Sequence, residues 1–190
     1  MAKKESSFLN MVITLAVITI ISAVAVGGIY QVTKEPIEIA QKAKQQNAIK
    51  AVIPDFDRLE EKKIKDDQDM NITINTAFKG DQVVGYAVES YSKKGYDATP
   101  IIVMVGFLPN GEINNTSVIQ QKETPGLGTK MVEPTFKDQF NGQNPASYKL
   151  IVKKDGGDVD AITAATISSR AFCDATQRAY DALIKEGGIK

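Results

Sequence analysis

Histidine is absent from these 190 residues, and cysteine occurs once, as Cys173. The first absence removes a His-ligated haem, the usual zinc sites and any catalytic triad built on an imidazole base. The second removes an internal disulfide and a Cys-ligated iron–sulfur cluster. An excess of either charge is missing too, since 23 Lys and Arg stand against 23 Asp and Glu with no long basic run. That balance offers no electrostatic footprint for a nucleic acid. Charge disappears altogether from Phe8 to Tyr30.

What fills that stretch is apolar: Met11-Val-Ile-Thr-Leu-Ala-Val-Ile-Thr-Ile-Ile21 continues through Ala23, Val24, Ala25 and Val26. About 22 helical residues span roughly 33 Å, against a hydrocarbon core of about 30 Å, so one membrane crossing is expected. A secretory signal peptide would share the basic Lys3 and Lys4 and the small residues of Ala23-Val-Ala25. Its apolar core is shorter, roughly 7 to 15 residues, which favours a retained anchor. Lys3 and Lys4 on one flank and Lys34, Lys42 and Lys44 on the other leave no positive-inside bias. A short inner tail with a long exported domain is the arrangement expected, because long domains translocate largely regardless of charge.

The chain then divides into a tail (1–7), a transmembrane helix (8–30), a helical connector (31–70) and one folded domain (71–190). Glu35-Pro36 is placed to start a connector helix, with Ile53-Pro54 breaking it. The charged stretch from Asp55 to Asp69 reads as a solvated segment or short helix. Two hairpins follow, Ile72–Phe78 with Gln82–Tyr91, and Pro100–Leu108 with Ile113–Gln120, joined by Lys79-Gly-Asp81 and Pro109-Asn-Gly-Glu112. The continuous apolar run of Ile101–Leu108 predicts a central strand buried on both faces. A short helix over Glu133–Phe140, a strand over Ser147–Lys153 and a final helix over Ile167–Glu186 complete the reading. The fold class expected is α+β, with an antiparallel-rich sheet packed by helices and preceded by one N-terminal transmembrane helix.

Chemistry concentrates in Asp160-Ala-Ile-Thr-Ala-Ala-Thr-Ile-Ser-Ser169, where four hydroxyls meet the start of the last helix. Capping accounts for Ser and Thr at a helix start without any ligand. A phosphate there is stabilised by the same unpaired N–H groups and helix dipole. Arg170 is placed one turn beyond Thr166, either exposed or against such a phosphate. A second segment, Glu123-Thr-Pro-Gly-Leu-Gly128, reads as a tight turn that ends pairing after the strand. Tyr96, in Lys94-Gly-Tyr-Asp97, either walls a site or fills the core, and Cys173 packs as a small apolar residue.

Asp160–Ser169 resembles the flavinylation motif of the FMN-binding-domain family, whose core is Ser/Thr-Gly-Ala-Thr, and Glu123–Gly128 resembles the loop that lies against the flavin in that family. The two stand in the right order, about 40 residues apart. With the single preceding span, the layout is similar to the G subunit of the Rnf (Rsx) electron-transport complex. The resemblance implies FMN covalently bound through its phosphate to Thr166. It also implies flavin contacts from Glu123, Thr124, Gly126, Leu127, Gly128, Thr163, Ala165, Ile167 and Ser168, with no catalytic acid or base and no metal. It further implies membrane-embedded partner subunits and a flavin transferase, using FAD and a divalent metal, that modifies the exported domain. Ala164 departs from the motif, standing where Gly is usual, so a positive φ there would strain it. The C subunit of the sodium-translocating NADH:quinone reductase and other anchored, flavinylated reductases share the layout. A non-redox anchored domain, with Thr166 only a cap, remains the reading free of any ligand.

Overall fold

The computed structural model describes residues 7–53, 55–66 and 69–189. The chain forms two compact units, residues 1–43 and residues 44–190.

Helix α1 (Phe8–Val52) supplies the first unit with one long rod. Every side chain described from Ser7 to Ala43 is exposed, which suits a helix surrounded by lipid along its apolar part. It is the one helix among the described residues long and apolar enough to cross a membrane, by length and composition. Two of its hydroxyls turn inward: Thr14 donates to the Asn10 carbonyl at 2.7 Å and Thr19 to that of Leu15 at 2.8 Å. Neither hydroxyl is left bare against hydrocarbon. Pro36 was expected to open a separate helix; instead it lies inside α1. The apolar segment already supplies a helical turn for Pro36 to join, at the cost of the hydrogen bond its missing N–H would have made. Of the predicted tail, residues 1–6 lie outside the described residues.

In the second unit, β1 (Arg58–Lys65), β2 (Asn71–Lys79), β3 (Gln82–Ser92), β4 (Ile101–Phe107) and β5 (Ile113–Gln120) form one antiparallel meander in sequence order. The stretch read as a solvated segment or short helix is therefore an edge strand. Seven of the eight β1 residues are exposed, so charge on both faces hides the alternation that identifies a strand, while protecting the edge from further pairing.

The last turn of α1 covers one face of the sheet. Ala48, Ile49, Val52 and Ile53 pack on Ala77, Ala87 and Met104. Gly106 permits this approach, because a Cβ there would collide with the Val52 carbonyl oxygen and come within 2.8 Å of the Val52 side chain. Two asparagines of β5 then cap the helix end: Asn114 donates to the Val52 carbonyl at 2.8 Å and Asn115 to that of Ala51 at 3.0 Å. They satisfy carbonyls that a helix C-terminus leaves unpaired.

Helix α2 (Pro134–Lys137) and the 3-10 turn after it supply Phe136 and Phe140 to the opposite face. Helix α3 (Thr166–Lys185) covers that face, burying Ala171, Phe172, Ala175, Ala179 and Leu183 on a core that includes Val88, Val103, Val105 and Phe107. The rings of Phe136 and Phe140 lie 5.3 and 4.9 Å from that of Phe172. Strand β4 is fourth in order rather than central, yet α1 and α3 bury it on both faces. The strand expected over Ser147–Lys153 does not join the sheet. Leu150 and Val152 are buried, but the backbone pairs locally, with one parallel bridge from Val152 to Val159.

Candidate functional site

The turn before α3 sets the site. Ala165 N–H donates to the Ile162 carbonyl at 3.0 Å, closing the four residues Ile162–Ala165. Its third residue, Ala164, has φ 61°, the left-handed geometry that glycine adopts without cost. The departure from the family motif thus falls where the backbone demands Gly, and residues held this way recur at functional sites.

Ala165 is the N-cap of α3, and no side chain caps the helix. Capping therefore does not account for the four hydroxyls of the segment. Ser169 is buried, accepting from Ile162 N–H at 2.9 Å and donating to the Ala165 carbonyl at 3.0 Å. Ser168 is buried and donates to the Glu123 carboxylate. Thr163 is exposed and Thr166 half-buried, and among the described residues neither hydroxyl is engaged in a hydrogen bond. Thr166 occupies the first turn of α3, whose N–H groups have no intrahelical partner.

Opposite stands the Glu123–Gly128 loop. It folds on itself, with Leu127 N–H donating to the Thr124 carbonyl at 3.1 Å and Gly126 N–H to the Thr129 hydroxyl at 2.9 Å. Between the two segments lies a cavity of about 510 Å³, lined by Tyr96, Glu123, Thr124, Leu127, Gly128 and the run Ala164–Ser168. Its size suits a cofactor, and its walls are largely apolar with a few polar groups, as cofactor sites are. Of the residues expected at the site, Gly126 and Thr163 lie outside this lining, Gly126 serving the turn with φ 75°.

Tyr96 lines the cavity and is 72% exposed, so it is a wall and not core. Leu127 and Ile167 stand half out of the surface beside the same opening. Next to Tyr96, Asp97 accepts from Thr99 N–H at 2.7 Å, and its bonds to Thr99 hold its carboxyl below the usual range. Arg170 does not face the cavity. It forms a two-pronged pair with Asp155, Nε to Oδ2 at 2.6 Å and Nη2 to Oδ1 at 2.8 Å. Cys173 is buried on α3, and burial pushes its thiol up to about 12, which makes it inert.

The sequence reading missed how Glu123 is used. Its side chain is buried, and its carboxylate reaches toward the Tyr96 loop and α3 together. The signal was there in Gly95 and Gly128, where a Cβ would come within 2.6 Å of the Glu123 side chain.

The FMN-binding domain family matches residues 95–181, and the RnfG N-terminal region matches residues 1–52. The G subunit of the ion-translocating oxidoreductase complex of Methanosarcina acetivorans is 30% identical, over 94% of this chain and 96% of that protein. The protein of the same name from Haemophilus influenzae strain PittEE is 34% identical, over 87% and 85%. The G subunit of the proton-translocating ferredoxin:NAD(+) oxidoreductase complex of Clostridium ljungdahlii is 25% identical, over 94% and 93%. Among solved structures, that of Shewanella oneidensis NqrC covers 63% of this chain and 61% of that one, at 22% identity and a TM-score of 0.44.

Proposed function

The chain belongs to the G-subunit family of ion-translocating oxidoreductase complexes and carries an FMN-binding domain, and from that premise we propose that it bears FMN as a phosphoester on Thr166 and relays electrons between neighbouring subunits. The observation that carries this reading is the shared cavity: segments about 40 residues apart in sequence, each resembling a flavin motif, are its opposite walls. Within Asp160–Ser169, Thr166 is supported as the acceptor because Ser168 and Ser169 are committed to hydrogen bonds and Thr163 lies outside the lining.

Attachment by a flavin transferase displaces AMP from FAD: the Thr166 oxygen bonds to the flavin-side phosphorus, the pyrophosphate bond breaks, and the hydroxyl proton is lost. A diester on Thr166 would place its charge at the first turn of α3, where unpaired N–H groups and the helix dipole stabilise an anion. Among the described residues no cationic side chain lines the cavity, so the backbone carries that duty. Leu127, Ile167 and Tyr96 supply apolar surface for a ring, and the glycines of the loop let backbone approach it. When bound, FMN supplies reversible uptake and release of electrons, while the protein sets its position, water access and potential. The anchor holds this carrier in the membrane beside its partner subunits, with residues 44–190 on the extracytoplasmic side.

The test is co-expression of the full chain with a flavin transferase, followed by mass spectrometry of the Thr166 peptide. An FMN-sized adduct on Thr166, lost in Thr166→Ala together with in-gel fluorescence, is the expected result. An unmodified Thr166 peptide overturns the reading.

A further inference from the structure

Glu123 is a carboxylate only 4% exposed, a placement that charged side chains take only when paired or bonded. Its partners come from two different segments. One oxygen, Oε1, accepts from Tyr96 N–H at 2.9 Å and Asp97 N–H at 3.4 Å. The other, Oε2, accepts from the Ser168 hydroxyl in the first turn of α3. Among the described residues no lysine or arginine is bonded to it, so three hydrogen bonds, two of them from backbone, carry its stabilisation. The protein makes room for it on both sides, since a Cβ at Gly95 would lie 2.6 Å from Oε1 and one at Gly128 would lie 2.8 Å from Oε2.

The Tyr96 loop is pinned a second time. Asp174, on α3, accepts from the Ser92 hydroxyl at 2.8 Å and from Lys94 Nζ at 2.6 Å. Both ends of residues 92–97 are thus tied to α3, directly through Asp174 and through the Ser168–Glu123 bond. The exposed ring of Tyr96 is carried on a fixed backbone.

We propose that Glu123 is the positioning residue of the flavin site, its buried carboxylate locking the Tyr96 loop to the first turn of α3 at the wall of the cavity. The proposal rests on the reading of Thr166 as flavin acceptor. It assigns Glu123 two separable roles. The tie sets the gap between Tyr96 and Ile167 before any flavin is attached. The charge opposes gain of negative charge by the flavin and so lowers its reduction potential.

Glu123→Gln separates the roles, because the amide keeps the size and the Oε1 contacts and reverses the other bond, its N–H donating to the Ser168 oxygen, while the charge is lost. In the full chain, flavinylated by the transferase and held in detergent, the expected result, read on the flavin-bearing fraction, is a midpoint potential shifted positive. Removing one charge at partly buried range changes the reduced-to-oxidised ratio by about tenfold, which is about 30 mV for a two-electron couple. Glu123→Ala is expected to show the same shift, to alter the visible circular dichroism of the flavin, and to speed proteolysis at residues 93–97 of the unmodified chain. If Glu123→Ala does not fold, Ser168→Ala cuts the tie to α3 alone and reads out the same dichroism. Unchanged potential in Glu123→Gln with unchanged dichroism in the tie-cutting variant overturns the proposal. Absence of flavin from wild-type Thr166 instead overturns the functional reading beneath it.

Discussion

At the scale of single residues, Ala164 is the plainest point of stored strain. Alanine in the left-handed conformation costs about 1–2 kcal/mol. Glycine sits there freely but loses about 0.4–1 kcal/mol through its more flexible unfolded chain. Ala164→Gly is therefore expected to stabilise the folded unit by up to about 1 kcal/mol, read from denaturant unfolding of the detergent-held chain. Arg170 leads to a different expectation. Both prongs of its guanidinium are committed to Asp155, and that pairing holds the Asp155 carboxyl below its usual range. Arg170→Ala should leave flavin attachment at Thr166 unchanged, measured by in-gel fluorescence, whereas loss of fluorescence would mean that Arg170 serves the phosphate. The sequence points to Thr166 because its motif is local. Glu123 was harder to read, because nothing in Glu-Thr-Pro-Gly-Leu-Gly says which way the carboxylate turns. Its direction is decided by Ser168 and Gly95, which are distant in sequence.

At the scale of elements, the fold depends on how closely α1 and α3 approach the two faces of the sheet. Gly106→Ala inserts a methyl group into the Val52 carbonyl. Overpacking of this kind costs about 1–3 kcal/mol, and it should also free the amides of Asn114 and Asn115 from the helix end. A drop in melting temperature with retained far-UV helicity is the expected signature. On the other face, burial alone would raise the Asp174 carboxyl, but hydrogen bonds from Lys94, Ser92 and Arg178 outweigh it and hold the group below its usual range. A depressed carboxylate contributes stability that is present above its unfolded value, about 3.9, and lost as pH falls through the folded one. Melting temperature should fall as pH drops below about 4, and less steeply in Asp174→Asn. Strands β2–β5 were legible because their apolar residues alternate, or run on, between clear turns. β1 was not, since Arg58–Lys65 is charged on both faces. The segment Ser147–Lys153 alternates as a strand does, but satisfies that pattern by burying Leu150 and Val152 under a local bridge. The unbroken passage of α1 through Pro36 runs against local propensity and shows only in the folded chain.

At the scale of the whole molecule, the lone thiol is a convenient silence. Cys173 is buried and its thiol is raised to about 12, so a membrane-impermeant maleimide should not react with the native protein. A single exposed cysteine introduced by Lys154→Cys would then report which side of the membrane holds residues 44–190. Labelling of intact cells, before lysis, is the expected outcome, and labelling only after lysis would reverse the orientation. The meander brings a further consequence. Each strand pairs with its neighbour in sequence, so the sheet is built from contacts of short range along the chain. Helix α3, which contributes Thr166, Ser168 and Asp174, comes last. The order expected in folding is therefore the sheet first, with the pocket closing when α3 docks. On the function proposed above, a copy truncated before α3 would lack Thr166 and with it the means to carry flavin.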